Sequence, residues 1–255
     1  MQRLQGKVGV VVGASEGIGA AIARQLADEG AVVVPVARNV AKIQEWAAEW
    51  LREKGVEGRV HPLQCDNTRE EDIDRVIAFV EKTFGKLHFL VNNAATCPHA
   101  TLYDGKTEDL RRTLEVNVLG LSLFTREAVR LMRRTGVDGH IVHINSTSGQ
   151  SIVQEPEGNY MYAASKHAVR VLTEGLRREL RDIGTKIRVS SVSPGLVRTN
   201  IFANSGVPQE TNDAIFSENV CLEPKDIADA VIYVLTAPPH VQVHELTVQP
   251  NGEKW

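Results

Sequence analysis

Residues Val8–Gly19 read VGVVVGASEGIG and join a short apolar run to a glycine-rich turn. The β-branched residues of Val8–Val12 predict a buried strand, and Ala20–Glu29 is typical of a helix. A glycine motif between a strand and a helix is the setting in which a dinucleotide phosphate binds a helix N-terminus. A glycine turn that only packs well is the alternative, and the flanking strand and helix weigh against it.

Each glycine of this turn has a distinct expected purpose. Gly13 permits the tight turn, Gly17 leaves room for a pyrophosphate against bare backbone, and Gly19 lets helix and strand pack closely. The same alternation of strand and helix continues to the end of the chain, with further strands predicted at 31–36, 60–64, 87–91, 141–144, 187–192 and 241–248. This order predicts an α/β fold, a Rossmann-like doubly wound parallel sheet of about seven strands with helices on both faces.

No linker, internal repeat or low-complexity segment divides the sequence, so one domain over residues 1–255 is expected. Residues 106–134 follow one long helical pattern. Residues 200–220 lack clear periodicity and are rich in polar and turn-forming types, which predicts a mobile lid that contacts substrate. Pro224 is expected to open a helix that runs to Leu235.

Composition excludes several classes of function. The 255 residues are 42% hydrophobic and 24% charged, with a net charge of −3 and no basic run, so neither nucleic acid nor an acidic membrane is an expected partner. Three scattered cysteines indicate a reducing compartment. The absence of a leader or an apolar run of ~20 residues favours a cytoplasmic protein without a membrane span.

The end of the second predicted strand bears on the choice of dinucleotide. An acidic residue there would bind a free ribose 2′-hydroxyl, whereas an arginine accommodates a 2′-phosphate. No Asp or Glu lies between Ala31 and Lys42, and Arg38 is present. The sequence therefore favours NADP over NAD, with a solvated surface arginine as the alternative. Asp66 follows the third strand, where it is placed to bind the adenine amino group or to cap the next helix.

Tyr162 and Lys166 are four residues apart at the start of a strongly amphipathic helix and so point the same way. A lysine cation beside a phenol favours the phenolate and lowers a pKa that is otherwise ~10. Tyr162 is therefore a candidate proton donor and acceptor near neutral pH. An ordinary half-exposed helix face is the alternative.

Two further polar residues are candidates for the same site. Asn117 lies in an apolar helical context, where a buried amide must find hydrogen bonds; a satisfied core amide is the alternative. Ser146 follows the strand that ends at Ile144. Ligands of doubly wound sheets bind at the carboxyl ends of strands, and the singled-out residues all fall there or on the helices that follow.

The chain resembles the short-chain dehydrogenases/reductases from end to end. The motifs that carry the resemblance are the turn of Gly13, Gly17 and Gly19, the adenine-side Asp66, Asn92-Asn93-Ala94, the helical Asn117, Ser146, Tyr162 with Lys166, and Pro194-Gly195. The family often has Thr where Val12 stands and Gly where Ala95 stands, and neither change removes a reactive group. The loop between Ser146 and Tyr162 is longer than is common, which leaves Ser148 open as the catalytic serine, although Ser146 aligns with the family's strand end.

The resemblance implies hydride transfer between the nicotinamide and a carbonyl carbon. In that scheme Ser146 holds the substrate oxygen, Tyr162 exchanges its proton, Lys166 acts on Tyr162 and the nicotinamide ribose, and Asn117 holds a water. The residues implied to bind the cofactor are Gly13, Ser15, Glu16, Gly17, Ile18, Gly19, Arg38, Asn39, Asp66, Asn67, Asn93, Ala94, Tyr162, Lys166, Pro194, Gly195, Val197 and Thr199.

Within the family, the helix surfaces at 173–180 and 230–235 resemble insect NADP-dependent farnesol dehydrogenases, beetle monoterpenol dehydrogenases and vertebrate carbonyl and ketosteroid reductases. An isoprenoid alcohol is thus the expected substrate, with a broad carbonyl or ketosteroid reductase and a non-catalytic NADP-binding regulator as alternatives. The expected pocket wall is 95–100, 152–160 and 197–216. The resemblance also implies a homodimer or homotetramer through the helices at 106–134 and 162–181. His140 and His143 lack useful metal spacing, so no metal is expected.

Overall fold

A computed structural model describes residues 3–54, 58–152 and 158–252 of the chain. In these ranges seven parallel strands form one sheet in the order β3-β2-β1-β4-β5-β6-β7. The predicted class, a Rossmann-like parallel sheet covered on both faces, is confirmed. The strands are β1 Val8–Val12, β2 Val32–Ala37, β3 Leu63–Gln64, β4 Phe89–Asn92, β5 His140–Ile144, β6 Arg188–Pro194 and β7 Glu245–Val248.

Helices cover both faces of the sheet and enclose two apolar cores. The α-helices are α1 Gly17–Asp28, α2 Val40–Lys54, α3 Glu70–Phe84, α4 Thr107–Leu114, α5 Leu121–Arg134, α6 Tyr160–Asp182, α7 Ile201–Asn204, α8 Gln209–Glu218 and α9 Pro224–Thr236. One core lies under α1, α2 and α9 and includes Trp46 and Trp50, each 5% exposed. The other lies under α3, α5 and α6.

The strand order reverses between β1 and β4. From β1 the chain adds β2 and β3 on one side, and it then returns to add β4 to β7 on the other. Such a reversal opens a crevice outside the carboxyl ends of the central strands, where α/β proteins bind their ligands.

Two predicted strands are shorter than expected. The third was expected over 60–64, but only Leu63–Gln64 pairs continuously with β2, and Val60 makes an isolated bridge to Val33. Pro62 stands between them and has no N–H to donate to a ladder. The last strand was expected over 241–248 and begins at Glu245; in the segment before it, the side chain of Gln242 donates to the Val189 carbonyl.

The long helical stretch predicted over 106–134 is confirmed from Thr107 to Arg134, but its middle is not α-helical. Residues Glu115–Gly120 form a π-helical turn between α4 and α5. A π turn inserts one extra residue per turn and is common at functional sites. Position 120 in this turn is a glycine because a Cβ there would collide with the side chain of Asn67. The turn carries Asn117.

The segment predicted to be irregular, 200–220, contains the short helices α7 and α8. Its lack of periodicity has a reason, since α7 buries no residue and α8 buries only Asn212 and Phe216. The helix predicted to open at Pro224 is confirmed and carries a capping box of Glu223 and Asp226. None of the described helices is long and apolar enough to cross a membrane.

Candidate active site

The carboxyl ends of the central strands border a cleft of about 1450 Å³. Ordinary small-molecule pockets hold roughly 300–1,000 Å³, so this one has room for a dinucleotide beside a second molecule. Of the residues proposed from the sequence, those that line it are Gly13, Ser15, Glu16, Gly17, Ile18, Arg38, Asn39, Asp66, Asn67, Asn93, Ala94, Ser146, Tyr162, Lys166, Pro194, Gly195, Val197 and Thr199. Gly19 and Asn117 do not line it.

The glycine turn is built by close backbone contacts. Gly13 has a φ of 78°, and a Cβ there would lie 2.7 Å from the Ala94 Cα. Asn93 ties the turn to β4 by donating a hydrogen bond from Nδ2 to the Gly13 carbonyl at 2.9 Å. Gly19 sits behind the turn, where a Cβ would collide with that carbonyl. Its purpose is therefore packing, as its expected place in the motif implies.

The first turn of α1 has the properties of an anion site. No side chain caps its N-terminus and no acidic residue lies in its first turn. Gly17, with a φ of 59°, leaves this end open, and the nearest atom to an added Cβ would be Thr199 Cγ2 at 3.3 Å. Free N–H groups and the helix dipole at such an end attract phosphate.

The far end of the cleft, beside β2 and β3, holds Arg38 and Asp66. Arg38 is exposed, and within the described residues its guanidinium has no intramolecular partner. Asp66 accepts hydrogen bonds at Oδ1 from the N–H and hydroxyl of Thr68, at 3.0 and 2.8 Å. The alternative in which Asp66 caps the next helix was wrong, because α3 begins at Glu70 and its N-cap is Arg69.

Asn39 and Asn67 line the cleft, but their side chains serve the scaffold. Asn39 Oδ1 accepts the backbone N–H of Lys42 at 3.3 Å and so supports the first turn of α2. Asn67 Nδ2 donates to the Val116 carbonyl at 3.0 Å, which stabilises the π turn.

Tyr162 and Lys166 lie on the cleft side of α6, near its start. The Lys166 ammonium is 5.6 Å from the centroid of the Tyr162 ring. Lys166 is 3% exposed and donates to the Ile144 carbonyl at 2.9 Å. Burial lowers the pKa of Lys166 to about 8, so the ammonium form still prevails at neutral pH.

Asn117 stands behind this pair as a fully satisfied amide. Its Oδ1 accepts the Thr96 N–H at 2.8 Å, and its Nδ2 donates to the Thr96 carbonyl at 2.9 Å and to Ser165 Oγ at 3.0 Å. Ser165 in turn donates to the Tyr162 carbonyl at 2.6 Å. The side chain of Asn117 thus links the loop after β4 to the first turn of α6, as in the alternative that the sequence left open.

Ser146 and Ser148 both line the cleft at the end of β5. Ser146 is extended, with a φ of −168°, and its Oγ accepts the Ser148 N–H at 3.1 Å. This bond opens the 3₁₀ turn Thr147–Gly149, which leads away from the strand. Ser146 is therefore the serine nearer to β5, two residues after the strand ends at Ile144.

The expected pocket wall is formed in part. Cys97 and Phe202 line the cleft, whereas Phe216 packs behind Phe202 with ring centroids 6.2 Å apart. Ile152 is 61% exposed and does not line the cleft, so its expected place in the wall was wrong. Val153, also expected there, lies outside the described residues.

Several cleft residues were not expected from the sequence, among them Lys42, Arg112, Thr247 and Gln249. Arg112 lies four residues before Val116, which also lines the cleft, and this helical spacing is a signal that points to it. His99 and Ser205, by contrast, fall within the expected wall segments 95–100 and 197–216, and both line the cleft.

The histidines of β5 bind hydroxyl groups. His140 Nε2 lies 2.8 Å from Ser190 Oγ, and His143 lies between Thr173 Oγ1 at 2.8 Å and Thr125 Oγ1 at 3.2 Å. Burial lowers the pKa of each to about 3, so both are neutral at pH 7. Residues 3–54, 58–152 and 158–252 contain no group of three or more His, Cys, Asp or Glu placed to hold a metal ion.

The fold and the cleft define a dinucleotide-binding α/β protein with a Tyr/Lys pair beside the cofactor turn. Comparison with known proteins gives the family. The family model described as short chain dehydrogenase matches residues 7–210. The chain belongs to the short-chain dehydrogenase/reductase family, and it is an oxidoreductase acting on CH–OH donors.

The relatives differ in what they act on. A farnesol dehydrogenase of Aedes aegypti is 46% identical over 256 residues, covering 100% of both chains. A dehydrogenase/reductase SDR family member 11 of Gallus gallus is 42% identical and covers 99% of both. The solved closed form of a serine dehydrogenase complexed with NADP+ superimposes with a TM-score of 0.86 at 27% identity, over 97% of this chain and 96% of its own. An alcohol dehydrogenase of Thermococcus sibiricus complexed with 5-hydroxy-NADP gives 0.80 at 30% identity, over 96% of each.

Proposed function

We propose that this enzyme is an NADP-dependent dehydrogenase for an isoprenoid alcohol of the farnesol or monoterpenol type. The observation that carries the proposal is the Lys166 ammonium, 5.6 Å from the ring of Tyr162 in a cleft that also contains the glycine turn. The farnesol dehydrogenase relative, 46% identical over the whole chain, supports the substrate class.

The residues present fit NADP. The uncapped α1 N-terminus suits a pyrophosphate, and the unpartnered guanidinium of Arg38 suits a 2′-phosphate. Bound NADP supplies the hydride acceptor of alcohol oxidation, and NADPH the donor of the reverse reaction. The proposed cofactor contacts are those made by the glycine turn, by Arg38, Asn39 and Asp66 at the adenosine end, and by Pro194, Gly195, Val197 and Thr199 after β6.

The proposed acid–base residues follow β5 or lie on α6. Ser146 holds the substrate oxygen by a hydrogen bond, and its position nearer to β5 favours it over Ser148. Tyr162 removes the hydroxyl proton in oxidation and returns it in reduction. Lys166, held in place by the Ile144 carbonyl, stabilises the phenolate by its positive charge.

Asn117 has a supporting part in this scheme. Its amide is committed to Thr96 and Ser165, so it fixes the position of the Tyr162 turn. A water that links Lys166 to solvent protons would have to bind another acceptor or the remaining lone pair of the Asn117 oxygen. We therefore treat Asn117 as a residue that positions the site.

Residues 200–220 form the proposed substrate lid. Phe202, Val207 and Ile215 contribute an apolar wall to the cleft opposite the polar end of β5. An acyclic terpenoid chain can lie against this wall while its hydroxyl reaches Tyr162. A broad carbonyl or ketosteroid reductase uses the same catalytic residues, and a regulator without catalysis does not need them.

A spectrophotometric screen tests the proposal. Purified enzyme is given NADP+ with farnesol, geraniol or an ipsdienol-type alcohol, and NADPH with a ketosteroid. We expect formation of NADPH at 340 nm with at least one of the alcohols, at a kcat/KM well above that of ketosteroid reduction. Preferred reduction of the ketosteroid would support the broad reductase, and no turnover of any compound would count against catalysis.

A further inference from the structure

Glu16 belongs to the glycine turn, yet its carboxylate faces the lid. Oε1 accepts a hydrogen bond from Asn204 Nδ2 at 2.7 Å, and Oε2 accepts one from Asn200 Nδ2 at 2.9 Å. Lys42 Nζ lies 3.2 Å from Oε2. Asn200 and Asn204 are four residues apart, on the same side of α7. One side of this helix is therefore fastened to the cofactor turn.

The residue that follows α7 contacts the loop after β4. Ser205 Oγ accepts the Cys97 N–H at 2.9 Å and lies 3.2 Å from Thr96 Oγ1. Thr96 is the residue that Asn117 holds on both its N–H and its carbonyl. Asn204 and Ser205 are neighbours, so the C-terminal end of α7 contacts both the turn after β1 and the loop after β4, and Phe202 of the same helix lines the cleft.

The Glu16 carboxylate lies beside the proposed phosphate site, where its negative charge has to be compensated. A carboxylate beside a phosphate site repels the ligand unless donors neutralise it. Burial raises the pKa of Glu16, but the hydrogen bonds from Asn204, Asn200 and Lys42 outweigh it and leave the pKa below its usual value. The carboxylate is thus ionised, and its two oxygens are engaged by the lid and by α2 instead of capping α1.

Glu16 is held by more than one contact. The side chains of its ion pair with Lys42 are 48% and 28% exposed, and exposed ion pairs stabilise proteins little. Asn200 and Asn204 are exposed as well, but each donates a hydrogen bond to a charged acceptor, and such bonds are stronger than those between neutral groups. Lys42 lies on α2, so these two hydrogen bonds are the contacts that connect Glu16 to the lid.

We propose that Glu16 is a positioning residue for the substrate, which acts through Asn200 and Asn204 to hold α7, and with it the Phe202 wall, against the cofactor turn. This inference rests on the proposed function, because it assumes that the cleft takes a dinucleotide. A bound dinucleotide fixes the turn that carries Glu16, and the fixed carboxylate then orders the lid. Cofactor binding and closure of the substrate wall are coupled in this way.

The test compares Glu16→Gln with the double variant Asn200→Ala/Asn204→Ala, and with Glu53→Gln as the matched control. Glu53 is an exposed glutamate of α2 that does not line the cleft. Hydrogen–deuterium exchange of residues 201–218 is followed with and without saturating NADP+. We expect NADP+ to slow this exchange in the wild type and in Glu53→Gln. In the other two variants the protection should fall roughly tenfold, the effect of losing a charge-assisted hydrogen bond.

Two more measurements make the result specific. NADPH binding, followed by its fluorescence, should change less than threefold in Asn200→Ala/Asn204→Ala, while KM for the alcohol rises roughly tenfold. The triple variant Glu16→Gln/Asn200→Ala/Asn204→Ala should behave like the double variant, because the glutamate change and the asparagine changes remove the same interaction. Additive effects, or wild-type protection in Glu16→Gln, would overturn the inference. Failure of the wild type to bind NADPH would instead refute the proposed function.

Discussion

Lys166 owes its properties to burial and to one carbonyl. Its pKa, lowered to about 8 by burial, still leaves most of the side chain charged at pH 7. The Ile144 carbonyl accepts one of its three N–H groups at 2.9 Å and fixes it near the ring of Tyr162. A buried cation with so few partners interacts strongly with a neighbouring phenol, because little water screens it.

At the same scale, Arg38 should decide the choice of cofactor. Arg38→Asp replaces the expected 2′-phosphate partner by a repelling charge that can accept from a ribose hydroxyl. We expect KM for NADP+ to rise roughly tenfold or more, and the preference to shift toward NAD+. Initial rates with both cofactors measure this. Arg133→Asp, on the exposed end of α5, makes the same charge change outside the cleft and should leave the preference unchanged. An unaltered preference in Arg38→Asp would contradict the assignment.

The sequence predicted the positions of the cleft residues better than it predicted their side-chain contacts. It identified the glycine turn and the polar residues at several strand ends, because strand ends and glycine spacing place backbone segments, but it did not identify Lys42 or Arg112. It did not reveal where the side chains are committed, as Asn117, Asn67 and Glu16 illustrate. Their partners lie on segments 21 to 188 residues away in the chain. Local pattern carries no information about such contacts.

At the scale of elements, the sequence did not show where tertiary packing changes the period within a helix. The apolar pattern of 106–134 is helical throughout, but the π turn Glu115–Gly120 rotates Asn117 into contact with Thr96. In the lid, residues 200–220, the sequence showed no helical period although two helices are present. These helices, α7 and α8, are too short and too exposed to leave a periodic pattern in the sequence. Helices of this kind are stabilised by contacts with the rest of the protein.

For the whole molecule, the strand–helix alternation was enough to predict the sheet, since few topologies satisfy it. Edge strands were less predictable because each has only one neighbour to hold it, as in β3 and β7. The homodimer or homotetramer implied by the family resemblance stays a prediction. Exposed apolar residues of α6, such as Val171 at 71%, are compatible with it but show no partner.

The two buried histidines of β5 predict how stability depends on pH. The pKa of His140 and His143 is about 3 in the folded protein, against about 6.5 for a free histidine. Between these values the unfolded chain binds more protons, so stability falls as the pH falls below about 6.5. From pH 7 to pH 5 each histidine should remove on the order of 2 kcal/mol from the free energy of unfolding.

Urea unfolding at pH 7 and pH 5 measures this loss. His143→Gln should be less stable at pH 7, because its bonds to Thr173 and Thr125 are disturbed, but it should lose less on acidification than the wild type. His240→Gln, at an exposed position, is the control and should follow the wild type. An equal pH dependence of His143→Gln and wild type would show that His143 is not held neutral.

The central claim is that Tyr162 is the acid–base group of an NADP-dependent alcohol dehydrogenase. The most direct measurement is the turnover of the best alcohol from the screen by Tyr162→Phe, with NADPH binding followed by fluorescence in the same preparation. Tyr160→Phe is the matched control, since Tyr160 begins the same helix, is 46% exposed and does not line the cleft. We expect at least a ~100-fold loss of kcat in Tyr162→Phe with NADPH binding equal to that of the wild type, and near-normal rates in Tyr160→Phe. Near-normal turnover by Tyr162→Phe would contradict the central claim.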